Sequence, residues 1–257
     1  MQEMIRTGMI ISGGHIDQDF ALAFLKHNAP DVFGRLSENG DPAPQGERCT
    51  YVIAADAGLL FCRDHQIMPD AIVGDFDSAD RSLCEQYVSS SDAQGPLVKL
   101  YEPEKDWTDT ELAAELALSE GLKEAFLLGG TGTRLDHVLG NIQVLDRMLD
   151  LGLVITMVDE HNRITVHNAD FVIRREEQWG KYVSFIPWGG EVSGLTLKGF
   201  QYPLQDHTMR VQGSLGVSNR ITAEEARVSF IGGKLLMIES DDKKVLAGAK
   251  NAEEYER

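Results

Sequence analysis

Basic residues are scarce in this 257-residue chain: 24 Lys and Arg stand against 41 Asp and Glu, a formal net charge of −17. A nucleic-acid backbone or an anionic membrane surface is drawn to basic patches, so both are argued against as partners. An anionic small molecule stays open, provided that a metal ion or a local cationic pocket meets it. Cysteine is equally sparse. Cys49, Cys62 and Cys84 form no C-x-x-C pair and have no matching His spacing. That predicts free thiols in a reducing compartment rather than a disulfide or zinc framework. No apolar run approaches membrane length, and Met1-Gln-Glu-Met-Ile-Arg6 lacks a signal-peptide core, so a cytoplasmic protein is expected. Repeats of 20–50 residues are also missing. What remains is a globular composition, 42% hydrophobic and 25% charged, long enough for one large domain or two ordinary ones.

The organising stretch is Asp70-Ala-Ile-Val-Gly-Asp-Phe-Asp-Ser78. Its apolar run predicts a buried strand ended by Gly74, and three carboxylates, Asp70, Asp75 and Asp77, lie around that strand. Asp75 and Asp77 are two apart, so their side chains can converge on one point, where an oxygen-seeking divalent cation would relieve their repulsion. The alternative is an Asp-rich turn bonded to its own backbone.

Upstream, Thr7-Gly-Met-Ile-Ile-Ser12 predicts a first strand closed by Gly13-Gly14 and followed by a helix over 18–26, which is how α/β nucleotide folds begin. Residues 34–48 read as a loop. Tyr51-Val-Ile-Ala-Ala55 predicts a second strand, then Asp56-Ala-Gly58 and a helix to about His65. Asp56 stands where open α/β sheets place ligands, or caps that helix. A helix over 82–87 and a strand over 96–100 follow. Thr108 or Asp109 can cap a helix whose apolar run is 112–118, with Glu111 in its first turn, while Lys105-Asp106 precede the cap. A strand over 124–128 runs into Gly129-Gly-Thr-Gly-Thr-Arg-Leu-Asp-His137 and a helix to about Asp150, a polyphosphate cradle in which backbone N–H groups and Arg134 face anionic oxygens. Asp136 is then available to a ribose, a metal or a base; the alternative is that Arg134 and His137 are surface residues. The loop is not a P-loop, because the Lys-Ser/Thr ending is missing. A further strand covers 153–158.

Near residue 160 the pattern turns to short alternating runs at 163–166, 170–173, 182–187, 191–197, 226–231 and 234–239, predicting an all-β second domain, with a disordered tail from Asp241. Gly213-Ser-Leu-Gly-Val-Ser-Asn219 is too rich in small polar groups for a mere hairpin loop. Trp188 can stack on a flat ring or pack at a strand end.

Four motifs, Gly74-Asp-Phe-Asp-Ser78, Lys105-Asp-Trp-Thr-Asp-Thr-Glu111, the loop from Gly129 to His137 and Ser218-Asn219, resemble in order and spacing those of the thiamine pyrophosphokinase family over nearly the whole chain. Thr133 departs from the pattern, since bacterial members often carry a second glycine there. The resemblance implies an α/β domain over 1–160, with a largely parallel, Rossmann-like sheet, that binds ATP and Mg2+, and a β-sandwich over 161–257 that binds thiamine. It implies transfer of a pyrophosphoryl group from ATP to the thiamine hydroxyl, giving thiamine diphosphate and AMP. Mg2+ would be held by Asp75, Asp77 and Asp106, with Lys105 and Arg134 completing the catalytic set. ATP would be held by Asp56, Gly58, Thr108, Asp109, Gly129, Gly130, Gly132, Asp136 and His137. Ser218, Asn219 and Trp188 would contact thiamine, and a homodimer would form the active site at the subunit interface. Asp77 and Asp106 are both open as the base. Rival readings are a pterin-alcohol pyrophosphokinase, which the Ser218-Asn219 loop and β domain disfavour, a non-catalytic sensor, and a magnesium-dependent nucleotide hydrolase.

Overall fold

The computed structural model describes residues 6–35, 49–74, 87, 96–100 and 106–245. It divides into two compact units, 1–155 and 156–257. In the first, strands β1 (Thr7–Ile11), β2 (Thr50–Ala55), β3 (Ala71–Gly74), β4 (Leu97–Leu100) and β5 (Glu124–Leu128) are joined in the order β4-β3-β2-β1-β5, with every pair parallel. The chain steps outward from β1 to β4 and then returns to β1's other side as β5. Loops leaving β1 and β5 therefore diverge to helices on different sides, which is the crevice where open parallel sheets place ligands. β2 is buried at all six positions, the pattern of a strand covered on both faces. Helices α1 (Gln18–Asn28), α2 (Gly58–Asp64), α3 (Asp109–Ser119) and α4 (Leu135–Asp150) complete this part. Asp17 caps α1, accepting from Phe20 N at 2.9 Å. Thr108, not Asp109, caps α3 by accepting from Glu111 N. Glu111 does not close a capping box: its carboxylate takes a 2.9 Å bond from Arg147 of α4.

Asp70 is engaged away from Gly74. It precedes β3, at the end opposite Gly74, and its Oδ2 accepts from Val52 N and from Arg35 Nη1, both at 2.8 Å. The Arg35 guanidinium, 4% exposed, also reaches Asp31 and the carbonyl of Thr50. Burial raises the Asp31 carboxyl, but hydrogen bonds from Thr50 and Arg35 outweigh it and hold the group below its ordinary value. Asp75, Asp77 and the expected helix before Tyr87 lie outside the described residues.

β6 (Val154–Val158) straddles the division, and its last two residues pair antiparallel with β7 (Asn162–His167). The second unit is antiparallel throughout its recorded pairs. β8 (Phe171–Arg174), β9 (Tyr182–Lys198), β11 (Glu225–Ser229) and β12 (Gly232–Ser240) take the order β7-β12-β9-β11-β8, and β10 (Leu204–Met209) pairs with β9. The strands expected at 182–187 and 191–197 are one 17-residue strand, because Gly189 at φ +72° and Gly194 at φ +67° bend it without ending it. Its core gathers Phe185 against Phe200, edge to face at 5.5 Å, with Val183, Leu195 and Leu197. Residues 241–245, expected to be disordered, are tied down: Asp241 N donates to His161 O and Val245 N to Glu160 O. Cys49 and Cys62 are free thiols, and burial pushes Cys62 up to about 12. Among the described residues no helix is long and apolar enough to cross a membrane.

Two outcomes follow for stability. Arg35→Met should cost about 3 kcal/mol or more in urea unfolding, because the largely buried carboxylates of Asp31 and Asp70 lose the Arg35 guanidinium. A loss under 1 kcal/mol would show that the network is not needed. His167, stacked on Phe171 at 3.9 Å, is lowered to about 4 by burial and then by Arg163. A neutral folded His gives stability that is complete above pH ~6.5 and lost as pH falls toward that lowered value. His167→Phe should therefore lose about 3 kcal/mol less than the parent between pH 7 and pH 4. Equal losses in the two proteins would refute this.

Candidate active site

β1 and β5 run in register to the pair Ile11 and Leu128. Beyond it the two loops stay in backbone contact: Ser12 N donates to Leu128 O at 2.9 Å and Gly14 N to Gly129 O at 3.1 Å. Side chains do not fit between them. A Cβ on Gly14 would stand 2.1 Å from Gly129 O, and one on Gly129, at φ +70°, would stand 2.4 Å from Ser12 O. Two buried polar links hold the surroundings. Asn141 of α4, 6% exposed, donates from Nδ2 to Gly130 O at 2.7 Å. The hydroxyls of Ser12 and Thr110 meet at 2.6 Å, joining β1 to the first turn of α3.

These loops wall a cleft of about 430 Å³. Of the residues expected at an ATP site, Asp56, Thr108, Asp109 and His137 line it together with Gly129, Gly130 and Gly132, and so does Arg134, expected in the catalytic set. Asp56 does not cap α2, whose N-cap is Ala57. It sits instead at φ +50°, a left-handed conformation that costs a non-glycine residue about 1 kcal/mol or more and that clusters at functional sites. The Arg134 guanidinium grips Asp136 at 2.5 and 3.2 Å, both side chains being exposed. That hydrogen bond holds the Asp136 carboxyl below its ordinary value and raises Arg134. Asp136 orients Arg134 and does not itself line the cleft.

Gly58 also lies off the lining. A Cβ there would stand 2.0 Å from Ile11 O, so its glycine serves the packing of α2 on β1. Asp106 is exposed just before α3 and off the lining, while Lys105 lies with Asp75 and Asp77 outside the described residues. Among the described residues no group of three His, Cys, Asp or Glu could hold a metal ion. Ser12, His15, Thr110 and Asn141 line the cleft without having been read from the sequence. Only the Gly-Gly pair after β1 pointed to the loop of Ser12 and His15, Thr110 lay unremarked within the Lys105–Glu111 motif, and Asn141 carried no local signal at all.

The second unit has its own cleft of about 470 Å³, between β9, β10 and the loop 213–217. Ser218 follows at φ +59°, exposed, its N–H bonded to Ser184 Oγ at 3.0 Å. Asn219 is 4% exposed, and its carboxamide is used within the chain. Oδ1 accepts from Tyr202 N and Arg220 N, and Nδ2 donates to Tyr202 O. These bonds fasten the loop that carries Ser218 to the segment at Tyr202. Trp188 is half-buried on β9, paired with Lys234 of β12 and outside the lining of this cleft.

Residues 45–157 match the family model "Thiamin pyrophosphokinase, catalytic domain", and residues 170–235 match "Thiamin pyrophosphokinase, vitamin B1 binding domain". A curated thiamine pyrophosphokinase of Bacillus subtilis is 33% identical over 84% of this chain and 95% of its own. The crystal structure of thiamine pyrophosphokinase from Bacillus subtilis superposes with a TM-score of 0.71 at 32% identity, covering 92% of this chain and all of that one. That of Geobacillus thermodenitrificans gives 0.71 at 27% identity, covering 92% and 98%. The fold is shared even with thiamin pyrophosphokinase from Candida albicans, at 16% identity, a TM-score of 0.69 and coverage of 92% and 90%. Two family models spanning both units, and a relative alike over nearly its full length, establish that the chain belongs to the thiamine pyrophosphokinase family.

Proposed function

We propose that this chain transfers the pyrophosphoryl group of ATP to the hydroxyl of thiamine, giving thiamine diphosphate and AMP. The observation that carries the reading is the glycine-walled cleft at the ends of β1 and β5, with Arg134 and His137 on its lining. In this reading residues 1–160 form a Rossmann-like ATP-binding domain and residues 161–257 a thiamine-binding β-sandwich. The protein acts as a cytoplasmic homodimer whose active sites lie between subunits.

The thiamine hydroxyl oxygen attacks the β-phosphorus. A new O–P bond forms there, and the bond from the β-phosphorus to the oxygen shared with the α-phosphate breaks, so that AMP leaves with that oxygen. Asp77 or Asp106 takes the hydroxyl proton. The donor set Asp75, Asp77 and Asp106 is all oxygen, which fits Mg2+. When bound, Mg2+ supplies charge neutralisation along the triphosphate. Arg134, aimed by Asp136, and Lys105 contribute cationic donors, and the backbone N–H groups around Gly129, Gly130 and Gly132 face the phosphate oxygens. Asp56 and Thr108 bound the nucleotide, with Asp109 and His137 beside them. Ser218 offers its hydroxyl to the thiamine pyrimidine from a loop fastened by Asn219, and Trp188 covers a ring.

Phosphorus NMR of the protein with ATP and Mg2+, with and without thiamine, tests the reaction. AMP and thiamine diphosphate should appear only with thiamine, and Asp75→Asn should lower the rate about 100-fold or more. ADP and free phosphate formed equally without thiamine would mean hydrolysis and would sink the reading. Gly14→Ala should raise KM for ATP about tenfold or more while sparing KM for thiamine, because its Cβ forces the two loops apart. An unchanged KM for ATP would detach the loop contact from nucleotide binding.

A further inference from the structure

His15 is the one imidazole on the cleft that no sequence motif singled out. It follows Gly14 in the loop after β1, so the hydrogen bond from Gly14 N to Gly129 O fixes its backbone against the glycine loop. The loops approach again at His15. Its N and Cβ lie 3.5 and 3.9 Å from where a Cβ on Gly132 would stand. His15 is exposed, and no described residue holds its ring.

The other titratable groups on the cleft are the carboxylates of Asp56 and Asp109, the Arg134 guanidinium and the His137 imidazole. Arg134 is already engaged with Asp136. A polyanion in a cleft carrying two carboxylates needs donors held in place, and an imidazole N–H on a backbone-locked loop is such a donor. We propose that His15 is an ATP-binding residue whose ring N–H donates to a polyphosphate oxygen, a role that rests on reading this cleft as the ATP site.

Calorimetric titration of the full chain with ATP, inorganic tripolyphosphate and adenosine, at one fixed Mg2+ concentration, tests it. His15→Leu should weaken ATP and tripolyphosphate about tenfold and leave adenosine binding and the melting temperature unchanged. His15→Asn, which keeps an N–H donor, should recover part of the loss. Unchanged tripolyphosphate affinity in His15→Leu, or a loss confined to ATP and adenosine as for ring stacking, would overturn the proposal. So would a parent protein that binds neither ATP nor tripolyphosphate. The two readings separate cleanly. A parent that makes thiamine diphosphate while His15→Leu keeps normal ATP and tripolyphosphate affinity refutes His15 alone. A parent that binds tripolyphosphate through His15 yet forms no thiamine diphosphate refutes the transferase reading alone.

Discussion

Backbone pressed on backbone between the β1 and β5 loops is the constraint on which the first unit's cleft depends. Parallel neighbours end at the same level, so their loops leave side by side and must either separate at once or share hydrogen bonds. Here they share them, from Ser12 to Leu128 and from Gly14 to Gly129, and the 2.1 Å that a Cβ on Gly14 would leave to Gly129 O admits glycine alone. Because the chain steps to β2 on one side of β1 and returns as β5 on the other, the loops diverge beyond this contact and a crevice opens. Asn141 then ties Gly130 to α4, and the Ser12–Thr110 hydroxyl pair ties β1 to α3. Sheet order makes the crevice, and glycine makes it shallow enough for main-chain N–H groups to reach a ligand.

Charge is divided in the same spirit. Arg35, Asp31 and Asp70 are largely buried, satisfy one another and fix the start of β2 against the turn before β3, far along the strand from the cleft end. Arg134 and Asp136 are exposed and face water as well as each other. A buried pair broken in half is costly, so it locks geometry; an exposed pair is worth little to stability and can exchange partners with a phosphate. A protein of net charge −17 carries no diffuse basic field, so any cationic site on it is a matter of a few placed donors.

Most parallel strands and the start of α3 were legible because local signals decide them: short apolar runs, Thr108 or Asp109 before a helical run, Gly after a strand. Errors arose where distant partners decide. Asp70 read as part of a carboxylate cluster only five residues from Asp75, yet Arg35 holds it at the other end of β3. Gly58 also meets a demand that its own segment does not show, since the carbonyl of Ile11 leaves it no room for a side chain. β10, with exposed polar positions and a bulge, has no alternation to read, and the glycines within β9 look like stops although the pairing with β12, β10 and β11 carries the strand through. His15 enters the site by packing of loop on loop and Asn141 by packing of helix α4 on the Gly130 loop, which no spacing in one segment reveals.

The second unit reaches a similar solution with different elements. A Cβ on Gly216 would stand 2.1 Å from Phe185 O, and Phe185 N donates to Gly216 O at 2.9 Å, so the 213–219 loop is pressed on β9 as the β5 loop is pressed on the β1 loop. Asn219 closes that attachment with its carboxamide on Tyr202 and Arg220, the part Asn141 plays for Gly130. In both units a buried amide and a glycine contact take over the work of position. Side chains beside these contacts, His15 in one unit and Leu215, Val217 and Ser218 in the other, are left exposed. Exposed side chains on a backbone that cannot shift are what recognition requires, since little ordering entropy remains to be lost when a ligand arrives.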